Sequence, residues 1–417
     1  MTIGGPLDAL ETRDPDERAA SQFECLVAQL TAAAAVAPAL ARQLGETDPA
    51  SVTDRAALAR LPVMRKADLG ERQKADPPLG GLAARQADDF DYLFQSPGPI
   101  YEPGMVSVVD WWRCARALNA ACIGAGDRVL NCFSYHLVPA GMMLESGARA
   151  LGAAVIPGGV GQAEAQVTAA ADLGATAYVG TPDFLKVLLD KAEETGRRLA
   201  MTKAWVSGGA LFPSLRETYA AAGITCLQGY ATADLGSVAY ETMTDGEPCE
   251  GLVVDEGVIV EIVRPGTGDP VAPGEVGEVV VTLLNADYPL LRFATGDLSA
   301  MLSGASPCGR TGPRIGGWMG RADQTTKVRG MFVRPEQVAA ILARHPEAEK
   351  ARLTVGRAED RDTLAMAVEA PAPSPDLARA IAETVRDVLK LRAEVDCTPP
   401  GSLPNDGKVI DDTRRYG

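Results

Sequence analysis

The sequence predicts an α/β protein in which a large N-terminal domain of parallel sheets covered by helices, with a small β-barrel-like part, precedes a small α+β C-terminal domain. Three observations predict it. From Arg128 onward short apolar strands alternate with helix-like segments, the sequence form of a mostly parallel sheet. Between Gly251 and Leu284 the texture turns antiparallel around Gly/Pro-rich turns. From about Ala322 to Gly417 strands and helices mix in a pattern of their own, which divides the chain into domains 1–322 and 323–417.

Taken in order, residues 1 to about 75 read as helical. "PDERAASQFECLVAQLTAAA" carries apolar positions at helix spacing, and "TDRAALARL" offers Thr53 as a cap. "LTAAAAVAPALA", Leu30 to Ala41, reads as a packed helix; it contains Pro38 and is too short and alanine-rich to span a bilayer. The strands that follow are "RVLNCF", "AAVIPG", "TAYVGT", "KAWVSGG" and "ITCLQGY", separated by helices such as "PDFLKVLLDKAEETG" and "PSLRETYAAAG". Proline stands near helix starts at Thr181-Pro182 and Phe212-Pro213, where its missing N–H costs little. "VIVEIVRPGTGDPVAPGEVGEVVVTLL" is two strands around a turn, and "PEQVAAILARH" and "DLARAIAETVRDVLKL" are helices of the C-terminal domain.

Composition narrows the function classes. The chain has 417 residues, 46% of them apolar, enough for two or three domains with a sizeable core. Its 40 basic against 55 acidic residues give a net charge of -15, which argues against nucleic-acid or anionic-membrane partners. The N-terminus lacks the basic-then-apolar order of a secretory signal and is too acidic for a transit peptide, so the expected location is the cytoplasm. The eight cysteines form no CxxC pair and read mostly as buried thiols, not a disulfide framework.

Four stretches carry chemistry: "QGYATADLG" (228 to 236), "YPLLRFATGDL" (288 to 298), "GRADQTTKVRGMFVRPEQV" (320 to 338) and "PPGSLPNDGK" (399 to 408). Singly each reads as a turn, a hairpin end, a loop or a solvated lysine. In this order and separation, together with "LPVMRKADL" and "GTPDFL", they resemble the adenylate-forming superfamily, in its phenylacetate-CoA ligase-like branch. The resemblance covers nearly the whole chain. It implies an N-terminal domain that binds nucleotide and acid, and a small mobile C-terminal domain that rotates between two half-reactions. It implies ATP or AMP, Mg2+ and coenzyme A as cofactors, a small carboxylic acid as substrate, and a homodimer.

By the same resemblance, Tyr230 lies against adenine and Thr232 donates to the α-phosphate, with Gln228, Gly229 and Ala231 in the same motif. "SGGALFP" matches the strand-loop whose backbone flanks adenine, through Gly208, Gly209 and Ala210; on the residues alone a plain strand-to-helix turn is as good a reading. Asp234 matches the magnesium-binding acid. Asp297 matches the acceptor of both ribose hydroxyls, since a carboxylate offers two acceptor oxygens and no donor. Arg321 matches the arginine on the ribose and phosphate side, Asp323 the hinge, and Lys408 the lysine that bridges the attacking carboxylate and the α-phosphate. Tyr135 and His136 align with the acid-pocket wall, although His136 reads equally well as a satisfied structural histidine. His345 reads as a helix C-terminal residue. Of the zinc ligands some relatives carry, only Cys308 is kept, with Val253 where a histidine stands and Cys249 as a substitute, so no zinc is expected.

"FQSPGPIYEPG", Phe94 to Gly104, departs from the family. Where the phosphate loop has hydroxyls, glycines and a lysine, this chain has Pro97, Pro99 and Pro103, which lack an N–H, and Glu102 in place of the lysine. A like charge at ~4 Å from triphosphate costs on the order of 1 to 4 kcal/mol. Two readings follow: an acyl- or aryl-CoA ligase whose triphosphate loop is degenerate, or a non-catalytic protein of the same fold that binds an acyl-CoA or acyl-adenylate.

Overall fold

The computed structural model describes residues 4–209, 211–324, 326–329, 331–358, 361–404 and 408–414. They cluster into two compact units. The first contains residues up to 275 with 279–295 and 300–317; the second contains 276–278, 296–299 and the run from Trp318 onward.

In the first unit helix α1 (Pro15–Ala33) begins at Asp14, whose side chain accepts from the Asp16 and Glu17 N–H groups. Pro38 does not sit inside one helix, as the sequence suggested. The chain breaks after Ala33, and Pro38 opens a second short helix, Pro38–Leu44, in the first-turn position where its lack of an N–H is harmless. The helix Arg55–Ala59 is capped by Asp54, not Thr53: the Asp54 carboxylate accepts from Ala57 N–H at 2.7 Å. No single helix among the described residues is long and apolar enough to cross a membrane.

A hairpin of β1 (Tyr92–Ser96) and β2 (Ile100–Gly104) precedes the main sheet. Four strands then run parallel with intervening helices: β3 (Arg128–Asn131), α2 (Ala140–Ala150), β4 (Ala154–Pro157), α3 (Ala163–Asp172), β5 (Ala177–Gly180), α4 (Pro182–Glu194) and β6 (Lys203–Val206). Helix α5 (Pro213–Ala221) leads to β7 (Thr225–Thr232), parallel to β6, and β8 (Gly236–Tyr240) returns antiparallel to it. The five strand segments expected from the sequence are all present; β3, β5 and β6 are short apolar runs buried in the covered sheet, whereas β4, at its edge, is only partly buried.

The remaining strands of the sheet are β9 (Leu252–Val254), β10 (Val258–Val263), β11 (Val276–Leu283), β12 (Phe293–Leu302) and β13 (Arg314–Ile315). Across the described residues the order is β10-β11-β12-β13-β9-β8-β7-β6-β5-β3-β4, with Met64–Arg65 paired to β12. The antiparallel part is thus continuous with the parallel part, joined through the β7–β8 turn.

The second unit has a small sheet of its own. Strands β14 (Thr326–Val328) and β15 (Met331–Val333) form a hairpin, and helix α6 (Pro335–Leu342) follows. Strands β16 (Lys350–Ala358), β17 (Arg361–Glu369), β18 (Glu394–Thr398) and β19 (Ile410–Asp412) assemble in the order β18-β17-β16-β19. Helix α7 (Pro375–Leu389) is capped by Ser374 and buries Leu377, Ile381, Val385 and Leu389, a spacing of four that keeps one face on the sheet.

Candidate active site

Two adjacent parallel strands end together where the sequence places the nucleotide. Val206 of β6 lies opposite Gln228 of β7, so Ser207, Gly208 and Gly209 leave β6 beside Gly229. Ser207 Oγ donates to the Gly229 carbonyl at 2.8 Å. A Cβ at Gly229 would lie 2.3 Å from the indole of buried Trp205, so only glycine lets β7 pass over that ring. Gly208 has φ +73°, a left-handed turn that favours glycine. The β7–β8 ladder shifts register between Tyr230 and Ala231, and Thr232 closes the strand with its Oγ1 accepting from Leu235 N–H at 3.2 Å. Gly208, Gly209, Gln228, Gly229, Tyr230, Ala231 and Thr232 are therefore gathered at the C-terminal edge of parallel strands, the edge at which open α/β sheets hold ligands. Ala210 lies outside the described residues.

Asp234 has a different partner from the expected metal. Its side chain has no exposed surface, one oxygen pairs with Lys66 Nζ at 2.5 Å, and Oδ1 is buried without a hydrogen-bond partner. Lys66 opens the short turn Lys66–Asp68 that follows the strand Met64–Arg65. A magnesium ligand that serves a nucleotide must present an oxygen to it, and a carboxylate closed from solvent and neutralised by an ammonium does not fit that task.

The hairpin brings a second correction. Glu102 does not carry a negative charge outward. It is 1% exposed and faces Phe94 across the ladder, and Ser96 Oγ donates to its Oε1 while Oε2 is buried without a partner. Burial, and next the charge of Asp234, push the Glu102 carboxyl up to about 8, so it is largely protonated at neutral pH. The exposed turn consists of Pro97, Gly98 and Pro99.

Tyr135 and His136 follow β3 at the same edge of the sheet but part company. Tyr135 is half-buried, accepts from Asn131 Nδ2 at 2.8 Å, and lines an open cavity with Tyr92, Val106, Val109 and Met142. His136 is exposed and is not part of that lining, because the chain turns outward through Leu137 at φ +64°. His345 pairs through Nε2 with Thr384 Oγ1 at 2.7 Å beyond the end of α6, a structural contact.

The second unit brings Asp297 and Arg321 together. Their backbones form an antiparallel bridge, and Arg321 Nη1 donates to Asp297 Oδ1 at 3.2 Å. Gly296 leaves room for that guanidinium: a Cβ there would lie 2.7 Å from Arg321 Nη2. Trp318 Nε1 donates to the same Asp297 oxygen at 3.1 Å, a partner the motif did not announce. Asp323, the expected hinge, falls in the turn Ala322–Gln324. Gln324 Oε1 accepts from the Val409 and Ile410 N–H groups, which anchors the backbone beside Lys408. Lys408 itself is half-exposed, with Nζ 2.9 Å from Asp411 Oδ1.

Lys66, Arg216, Glu241 and Trp318 escaped the sequence reading. Each acts on a residue distant along the chain, so no local spacing marks it; Lys66 and Asp234 are 168 positions apart.

Comparison with known proteins agrees with this geometry. The AMP-binding enzyme family profile matches residues 104–283, which span the hairpin's end, the ends of β6 and β7 and the antiparallel strands up to β11. The chain is 27% identical to phenylacetate-coenzyme A ligase of Thermus thermophilus over 86% of each chain. It is 27% identical to the protein of that name from Escherichia coli strain K12, over 98% of this chain and 97% of the other. Among solved structures, 2-hydroxyisobutyryl-CoA ligase in its postadenylation state superposes with a TM-score of 0.81 at 23% identity, covering 97% of this chain and 92% of the other, a likeness of fold. The chain is thus similar over most of its length to proteins named phenylacetate-coenzyme A ligase, and its residues 104–283 match the AMP-binding enzyme family.

Proposed function

We propose that this protein is an ATP-dependent acid-CoA ligase. A carboxylate oxygen attacks the α-phosphorus of ATP, the bond to the bridging oxygen breaks, and pyrophosphate leaves. The sulfur of coenzyme A then attacks the acyl carbon and AMP departs. The observation that carries this reading is the joined end of β6 and β7, where Ser207, Gly208 and Gly209 leave β6 beside Gly229 and the run Tyr230 to Thr232. Relatives that share nearly the whole length of the chain bear the name phenylacetate-coenzyme A ligase, which favours an aryl or arylacetic acid as substrate. Nothing in the described residues favours the non-catalytic reading.

Within this reading Tyr230 stacks on adenine, Thr232 donates to the α-phosphate, and Asp297 accepts from ribose hydroxyls with Arg321 beside it. Lys408 supplies the cation for the charge shared between carboxylate and α-phosphate. Mg2+ brought with ATP would neutralise its phosphates, and Asp234, closed from solvent and paired with Lys66, would not hold it. The hairpin is a degenerate triphosphate loop: its turn offers one N–H, that of Gly98, between two prolines, and the buried, protonated Glu102 spares the nucleotide a like charge. Grip on the leaving pyrophosphate is accordingly weak, and the AMP half of ATP dominates binding.

The test is AMP release from ATP and magnesium with coenzyme A and a panel of aryl, arylacetic and short-chain acids, beside a Lys408→Ala control. AMP that depends on one acid and disappears in the control is the expected result. No acid-dependent AMP, with wild-type protein still folded, would overturn the ligase reading.

A further inference from the structure

We infer that Arg216 and Glu241 are positioning residues that set the width of the nucleotide slot, an inference that rests on the nucleotide reading above. The two walls of that slot come from different elements. One is the segment after β6, which runs into α5; the other is β7. Arg216 lies one turn into α5 and reaches back to β7, where its Nη1 donates to the Cys226 carbonyl at 2.7 Å. Its Nη2 lies 2.9 and 3.0 Å from the two oxygens of Glu241.

Glu241 follows β8 directly and is 6% exposed. It grips Gln228, the first residue of the nucleotide motif, from both sides: its Oε2 accepts from the Gln228 N–H at 3.1 Å, and its own N–H donates to the Gln228 carbonyl at 2.8 Å. The Gln228 side-chain amide reaches the other oxygen at 3.4 Å. Helix α5 thus cannot move away from β7 without breaking the fork, which ties the helix that starts at Pro213 to the strand that carries Gln228 and Gly229. Phe212, at the helix start, makes no side-chain cap, so the fork is the polar tie near that end.

Stability alone does not account for such a pair. A buried ion pair is often replaceable by apolar side chains with little net loss, whereas its geometry is directional. What the fork supplies is the spacing of Gly208 and Gly209 from Gln228 and Gly229, which an adenine ring must match.

The test compares Arg216→Met, Arg216→Lys and Glu241→Gln in the full chain by AMP calorimetry and by the kinetics of acid-dependent AMP release. Arg216→Met is expected to raise the Kd for AMP and the KM for ATP about tenfold, because the tie between α5 and β7 is lost. The expected kcat stays within about twofold, since the reacting atoms are not touched. Arg216→Lys restores the charge without the fork and is expected to recover only part of the affinity. Glu241→Gln turns an N–H2 toward a donor and gives a second reading should Arg216→Met fail to fold. Wild-type affinity for AMP in any folded variant of the two, or a fall in kcat with KM unchanged, overturns the inference. Failure of wild-type protein to bind AMP overturns the nucleotide reading itself and the fork with it.

Discussion

Burial by itself drives a thiol upward, and Cys132 and Cys226 are each pushed up to about 12 in the apolar interior. At half-buried Cys308 burial acts the same way, but hydrogen bonds from Ser306, Thr242 and Arg310 outweigh it and bring the thiol down to about 7. Ser306 Oγ lies 3.1 Å and Arg310 Nη1 3.6 Å from the sulfur. Because the thiolate is the nucleophile, iodoacetamide labelling of Cys308 in folded protein is expected to be half-maximal near pH 7, while Cys132 and Cys226 stay unlabelled. Mass spectrometry across pH checks this; labelling of Cys308 that rises only in alkali contradicts it. Glu102 gives the matching statement for a carboxyl. Its folded value is about 8 against an ordinary 4.5, so the native state binds the extra proton between those values. The stability this contributes is full below the ordinary value and is lost as pH rises toward about 8. In Glu102→Gln, which cannot ionise, the urea midpoint should lose that downward slope.

Gly229 and Arg292 carry the predictions that belong to elements. A methyl group on Gly229 enters the Trp205 ring, and relief requires β7 to lift from β6 at the nucleotide edge. Gly229→Ala is expected to cost about 1 to 3 kcal/mol, as overpacking does. It should also abolish AMP binding, and Trp205→Leu in the same chain should return part of the stability. Urea unfolding with calorimetry checks both. Arg292, at the start of β12 and 1% exposed, donates to both oxygens of Glu261 at 3.0 and 3.1 Å and to the carbonyls of Ala59 and Gly268 at 2.8 and 2.7 Å. It fastens the N-terminal helices to the antiparallel strands. Arg292→Met leaves Glu261 buried and unpaired, a loss of about 3 to 5 kcal/mol, and Glu261→Met added to it should recover part.

At the scale of the molecule, the nucleotide glycines belong to the first unit and Lys408 to the second. Binding and chemistry should therefore separate. Saturating AMP is expected to raise the melting temperature of wild type and of Lys408→Ala alike, by about 2.7 kcal/mol of stabilisation at a hundredfold excess over Kd. Only wild type should release AMP in the presence of acid. A Lys408→Ala protein that AMP does not stabilise would show that Lys408 serves binding or folding.

Periodicity and turn chemistry are local, so the sequence by itself determined the strands "RVLNCF" to "ITCLQGY" and the helices Pro182–Glu194 and Pro213–Ala221. Each follows from neighbours a few residues apart. The tertiary structure alone decided which way a side chain faces and what it meets. The same Glu102 that reads as an exposed charge becomes a buried acid beside Ser96 once β1 and β2 pair. Asp234 reads as a metal ligand until Lys66 arrives from far along the chain. Arg216 and Glu241 carry no local signal in the sequence; α5 and the end of β8 bring them together, with Glu241 on Gln228. Charge and polarity are properties of a residue, but burial and partnership are properties of a packed site, and only the packed site sets the energy.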